Sequence, residues 1–181
     1  MTIAAPITVD DPRRADVREL LAEHLSDMYA TSPAESVHAL DADALAGPAM
    51  TLWTWRSPEG RVLGCAALKE LDARHGELKS MRTTAAARGH GVGTALLRHV
   101  LDMARGRGYH RISLETGSED FFAPARSLYR GHGFVATTPF ADYVEDPASV
   151  FLTLELTPTV TMTQQALPTR AISQASLDSR R

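Results

Sequence analysis

A single cysteine, Cys65, and an aromatic content of only 6% are the scarcest features of this 181-residue chain. With one cysteine no intrachain disulfide can form, so the fold must be held by apolar burial, and a reducing compartment is favoured. There is no excess of basic charge. The formal net charge is −3, which argues against a general nucleic-acid binder, since phosphates demand a positive field. Apolar runs long enough to span a bilayer are missing. The opening "MTIAAPITVDDPRR" lacks the basic-then-apolar order of a signal peptide, so no membrane partner is expected and the expected location is the cytoplasm. No spacing of His, Cys and carboxylates resembles a metal site, and none is expected. Internal repeats are absent as well.

What is present is the punctuation of one α/β domain. "PITVDDP" reads as a short opening strand, and Val17, Leu20, Leu21, His24, Leu25 and Met28 then recur at helical spacing from Arg13 to about Tyr29. "SVHALDADALAGPAM" is a short helix or loop. "TLWTWR" and "RVLGCAALKEL" flank the turn-rich "SPEG" and predict an antiparallel hairpin, with Cys65 as a small buried strand residue. After the loop "DARHG", "ELKSMRTT" is a third strand. Its alternation predicts Glu77, Lys79, Met81 and Thr83 on one side, with Leu78, Ser80 and Arg82 on the other.

Gly91 to Arg107 predicts a helix whose apolar stripe is Leu96, Leu97, Val100, Leu101 and Ala104, with Gly108 as its stop. "HRISLET" is a strand, "APARSLYRGHGF" a shorter helix, and "SVFLTLEL" the last strong strand. The order β-α-(α)-β-β-β-α-β-α-β-β implies a mixed α/β sheet covered on both faces. Beyond residue 157 the composition turns to Thr, Ser, Gln and Ala. Residues 1–157 are therefore expected to form the domain, and residues 158–181 a flexible or loosely packed tail.

The stretch "ARGHGVGTALLRHV", residues 87–100, sets three glycines at the entrance of the long helix. A P-loop requires Lys-Ser/Thr after the last glycine, and here Gly93 precedes Thr94-Ala95. The dinucleotide fingerprint G-x-G-x-x-G also fails, because Thr94 stands at the third glycine. What remains is a helix N-terminus, preceded by Arg88, whose amides at residues 89–94 favour an anion and whose glycines let it approach. That pattern points to a phosphate or pyrophosphate.

Arg88-Gly89-His90-Gly91-Val92-Gly93 resembles the Q/R-x-x-G-x-G/A signature of the GNAT superfamily of N-acetyltransferases. Downstream, "ARSLYRGHGF" is similar to the family segment A-x-x-L-Y-x-x-x-G-F, with Ala125, Leu128, Tyr129, Gly133 and Phe134 in register. The likeness covers about residues 5–156. Within it, "ALKELDARHGELKSMRT" and "SLETGSEDFFAPARSLY" look like a YsnE-like bacterial branch. The resemblance implies the acyl-CoA N-acyltransferase fold: a mixed, mostly antiparallel central sheet with two splayed parallel strands and helices on both faces. It implies acetyl-CoA as acetyl donor, bound at Gly89, His90, Gly91, Val92, Gly93 and Thr94 with Arg88, and along the strand at Met81, Arg82 and Thr83. A homodimer is compatible with it. Two positions depart from the family pattern. Ala85 stands where Pro is frequent, and Phe122 where an Asn often reaches the cofactor.

Transfer of an acetyl group to an amine requires a base for the ammonium, an acid for the thiolate and a donor to the carbonyl oxygen. The resemblance implies Tyr129 as the acid, and a free strand N–H, expected at Met81, as the donor. Glu77 is the first candidate base, with Glu70, His75 and a water as others; Glu115, which ends the strand after the long helix, is a further carboxylate near the expected cleft. Lys69, Lys79 and Arg82 suggest a cationic pocket for a small amine that also carries a carboxylate, or else ordinary strand-surface charges. The expected function is N-acetylation of a small-molecule amine. Its alternatives are a non-catalytic acetyl-CoA-binding regulatory module and acetylation of a protein amine.

Overall fold

The computed structural model describes residues 6–157; the predicted tail at 158–181 lies outside the described residues. Seven strands form one sheet in the order β1-β2-β3-β4-β5-β7-β6. They are β1 (Thr8–Val9), β2 (Met50–Arg56), β3 (Val62–Asp72), β4 (His75–Thr83), β5 (Arg111–Gly117), β6 (Val135–Ala136) and β7 (Ser149–Glu155). Four helices accompany them: α1 (Ala15–Thr31), α2 (Ala42–Leu45), α3 (Val92–Gly106) and α4 (Ala123–Gly131). The predicted element order is thus the observed one. Every neighbouring pair is antiparallel except β4 and β5. Among the described residues no helix is long and apolar enough to cross a membrane.

The sheet separates two cores. On one face the predicted stripe of α3, Leu96, Leu97, Val100, Leu101 and Ala104, packs on Ala66, Leu68, Leu78, Ile112 and Leu114. Each leucine buried there contributes about 1.5–3 kcal/mol. On the other face Val17, Leu20 and Leu21 of α1 and Leu45 of α2 cover Leu52, Cys65 and Ala67. Cys65 is fully buried, and burial pushes its thiol up to about 12, so it behaves as a core residue. The second half of the α1 stripe stays half-buried: His24, Leu25 and Met28 have no complete cover.

Two features of β4 open the sheet and decide which side chains face which core. First, β4 pairs with β5 only at His75↔Arg111, Gly76↔Ile112 and Glu77↔Ser113. Past Glu77 the two parallel strands part, and the edge of β4 faces open space. Second, β4 carries an extra residue. Cys65 pairs with Arg82 and Ala67 with Lys79, so two steps on β3 face three on β4. That is a β-bulge, and Ser80 at its centre has φ 49°. A non-glycine residue held in this region stores about 1–3 kcal/mol of strain, a cost met most often at functional sites. The bulge overturns the simple alternation predicted for this strand. Glu77, Lys79 and Arg82 share the α1 face, whereas Met81 joins Leu78 in the α3 core.

Candidate active site

The parting of β4 from β5 opens a cavity of about 630 Å³. One wall is strand: Met81, Arg82 and Thr83. Another is the loop and first turn of α3: Arg88, Gly89, Gly91, Val92, Gly93 and Thr94. A third is apolar, from Phe121 and Phe122 through Pro124, Ala125 and Leu128 to Tyr129. Of the residues predicted to touch a cofactor, only His90 is absent from this lining. It is exposed, and its Nδ1 lies 2.8 Å from the Arg88 carbonyl oxygen.

The glycine loop has the geometry an anion needs. Gly91 caps α3 in the left-handed region at φ 80° without any side-chain cap. Among the described residues no acceptor takes the N–H of Val92, Gly93 or Thr94. A Cβ built on Gly91 would meet nothing within 4 Å, so the space before these donors is open. Arg88 is exposed and makes no ion pair among the described residues. Free amides, a dipole end and an unpaired guanidinium together fit a pyrophosphate.

Phe122 holds the position where the resemblance anticipates Asn. Its ring is buried, and a Cβ on Gly117 would lie only 2.1 Å from it. The missing side chain at Gly117 makes room for the ring, which walls the cavity with carbon where an amide would have offered hydrogen bonds.

A smaller cavity of about 100 Å³ adjoins the first on the α1 side. His24, Met28, Met81, Phe122, Ala125 and Tyr129 line both, so the two meet at Tyr129. Tyr129 is buried against Phe134, with ring centroids 5.8 Å apart. Burial and the nearby Glu115 carboxylate hold its phenol above the usual range, and no hydrogen bond stabilises its ionised form. It is therefore a protonated group at neutral pH.

The structure separates the candidate bases. Glu77 sits where the strands part but reaches neither cavity. It is 2% exposed, accepts from the Tyr143 hydroxyl at 2.6 Å and pairs with Lys79 at 3.2 Å. Glu70 and His75 lie at the opposite end of the sheet, because a turn of two residues joins β3 to β4. Glu70 accepts from the Tyr109 hydroxyl at 3.2 Å. His75 is buried in β4, not placed in a loop, and its Nε2 meets Ser113 Oγ at 2.8 Å. The carboxylate that lines the smaller cavity is Glu115, at the end of β5. It accepts from Ser149 Oγ at 2.7 Å, and burial raises its pKa.

The predicted cationic pocket is not assembled. Lys69 lines neither cavity. Arg82 lines the larger one but binds Asp27 at 2.6 Å, with Glu23 at 3.7 Å. Tyr143 escaped the sequence reading because it lies 66 residues from Glu77, in a segment without periodicity.

His24, expected simply as part of an apolar stripe, stands between the cavities. Burial first, and then the Arg82 charge, lower its pKa to about 4, against a smaller opposing pull from Asp27. Above pH 6.5 the imidazole is neutral in both folded and unfolded chains and costs nothing. As pH falls from 6.5 toward 4, the unfolded chain gains a proton that the folded chain refuses, and stability drops. Between pH 7 and pH 4.5 this single group accounts for roughly 2.5 kcal/mol. Urea unfolding of wild type and His24→Gln at both pH values is expected to show a wild-type loss greater by that amount. Equal losses would mean that the imidazole protonates freely in the folded state.

A sheet opened between two parallel strands, with a bare helix N-terminus at the opening, is the architecture of the acyl-CoA N-acyltransferases. The crystal structure of a Klebsiella pneumoniae protein described as an acyl-CoA N-acyltransferase superposes with a TM-score of 0.69 at 29% identity, covering 84% of this chain and 97% of that one. Residues 15–134 match the acetyltransferase (GNAT) family, and the chain belongs to it. It is 51% identical to the N-acetyltransferase YsnE of Bacillus subtilis over 151 residues, 83% of this chain and 99% of the relative. It is 46% identical to the N-acetyltransferase YedL of Escherichia coli over 151 residues, 83% of this chain and 94% of the relative. The protein is an acetyltransferase.

Proposed function

We propose that the protein moves an acetyl group from acetyl-CoA directly to the amine of a small molecule at the junction of the two cavities. The observation that carries this reading is the shared wall. Tyr129 and Met81 line a large cavity fitted to a pyrophosphate and a small one that holds a carboxylate. Acetyl-CoA supplies an acyl group already activated as a thioester. The N–H groups of Val92, Gly93 and Thr94 bind its pyrophosphate, and the open edge of β4 around Met81 offers backbone groups to its extended arm and acyl oxygen. Glu115 takes a proton from the acceptor ammonium, a task suited to a carboxylate whose pKa is raised toward the working pH. The freed amine bonds to the thioester carbon, and as the C–S bond breaks Tyr129 gives its hydroxyl proton to the departing sulfur and is restored by the proton the amide nitrogen releases. Phe122 and Met81 exclude water from the junction.

A screen of primary amines with acetyl-CoA, read by free-thiol release, tests the proposal. Release that depends on both substrates is the expected result. Stabilisation by acetyl-CoA without amine-dependent release would replace direct transfer to small amines with another acceptor class, such as a protein amine.

A further inference from the structure

Resting on that reading, the smaller cavity carries information about which amine it takes. The charged groups around it are not equivalent. The Lys79 ammonium donates to the Tyr143 hydroxyl at 2.8 Å and to the His38 carbonyl oxygen at 3.1 Å, and it forms an ion pair with Glu77 Oε1 at 3.2 Å. Its side chain is 11% exposed. Tyr143 completes the set by donating its own proton to Glu77. The charge of Lys79 is thus offset by a buried carboxylate. Arg82 is held by Asp27 and Glu23 on α1. His24 is kept neutral by its surroundings.

Glu115 differs. It lines the cavity and accepts one hydrogen bond, from Ser149. No lysine, arginine or histidine lies within ion-pair distance of it among the described residues. The cavity therefore presents one carboxylate without an ion-pair partner; the His38 imidazole and the Glu77-bound Lys79 act on it only from beyond ion-pair distance. A half-buried carboxylate with one hydrogen bond and no ion pair favours a cation beside it.

The volume points the same way. At about 100 Å³ the cavity is smaller than the roughly 150 Å³ that accommodates a benzene ring in an engineered protein interior. It suits the amino end of a small molecule whose remainder extends out of the cavity. A carboxyl group on the carbon bearing the amine would add both bulk and a second negative charge beside Glu115.

We infer that the acceptor is a small primary amine with no carboxylate next to its amino group, held by an ion pair between its ammonium and Glu115 in a site where Lys79 is already paired with Glu77. The site thus discriminates against α-amino acids, the reverse of the carboxylate-bearing acceptor suggested by Lys69, Lys79 and Arg82 in the sequence.

Matched pairs test this: tyramine against tyrosine, histamine against histidine and isopentylamine against leucine, each assayed with the full-length chain and acetyl-CoA by thiol release. At least one amine is expected to exceed its amino acid in kcat/KM on the order of tenfold or more. In Glu115→Gln both members should slow and the ratio between them should shrink toward one. The ratio is the decisive quantity, because loss of a base alone would slow both members equally. Folding of the variant is checked by its stabilisation with acetyl-CoA, and the wild-type ratio stands without it. An amino acid preferred over its amine, equal rates within every pair, a ratio untouched by Glu115→Gln, or turnover of no amine by a chain that acetyl-CoA stabilises would each overturn the inference. A chain that acetyl-CoA does not stabilise would instead remove the donor site on which it rests.

Discussion

Tyr129→Phe is expected to lower kcat by ~10²–10⁴-fold while leaving the affinity for acetyl-CoA nearly unchanged. The ring packs on Phe134 and belongs to the α3-side core, and phenylalanine preserves that packing. The hydroxyl has no hydrogen bond among the described residues to lose, so stability should be unaffected; removing an unpaired polar group from a buried site is close to neutral. What disappears is a proton donor at the junction of the cavities, needed when charge builds on sulfur and not before. The defect should therefore shrink with a thioester whose leaving thiol is more acidic. Steady-state kinetics with two such thioesters, alongside thermal unfolding, checks all three expectations. Full activity in the variant would reduce Tyr129 to a core aromatic. A raised Kd for acetyl-CoA with kcat intact would make it a binding contact.

Gly91→Ala is expected to remove about half of the stabilisation given by acetyl-CoA. A ligand that binds the folded state alone stabilises it by about 2.7 kcal/mol at a hundredfold excess over Kd. If the methyl group weakens binding tenfold, about 1.4 kcal/mol of this remains at the same concentration. The difficulty is that alanine is also strained in the left-handed region, by about 1–2 kcal/mol. Gly108 supplies the control. It has φ 79° against 80° at Gly91, and a Cβ on either glycine meets nothing within 4 Å. The two alanine variants should lose similar stability without ligand, since each suffers the same backbone strain in open space. Only Gly91→Ala should show a reduced acetyl-CoA shift, because only Gly91 caps α3 beside its free amides. Melting curves with and without millimolar acetyl-CoA separate the cases. Equal ligand shifts in both variants would take the anion away from the glycine loop.

How far the sequence reached depended on the range of the physics involved. Helix α3 was legible because five apolar residues repeat on one helical face, and that face needs only some apolar surface to cover it. The glycine loop was legible for a related reason. Positive φ, free amides and a helix dipole are properties of a few consecutive residues, and they imply an anion wherever the loop ends up. The element order, and with it an α/β sheet with helices on both faces, followed from period and punctuation alone.

Tertiary structure decided the chemistry of the smaller cavity. A bulge at Ser80 put Arg82 on the face of Glu77 and Lys79, and nothing in a serine announces a left-handed φ. The turn of two residues after β3 carried Glu70 and His75 to the far end of the sheet, a consequence of hairpin geometry that the residues themselves do not display. Glu77 and Lys79 were tied to each other and to Tyr143, a residue of a distant segment. Local patterns determine helices, loops and the anion they attract, because those forces act between neighbours in the chain. Which carboxylate stays unpaired depends on who arrives beside it in space, and for Glu115 and Glu77 only the folded chain makes that choice.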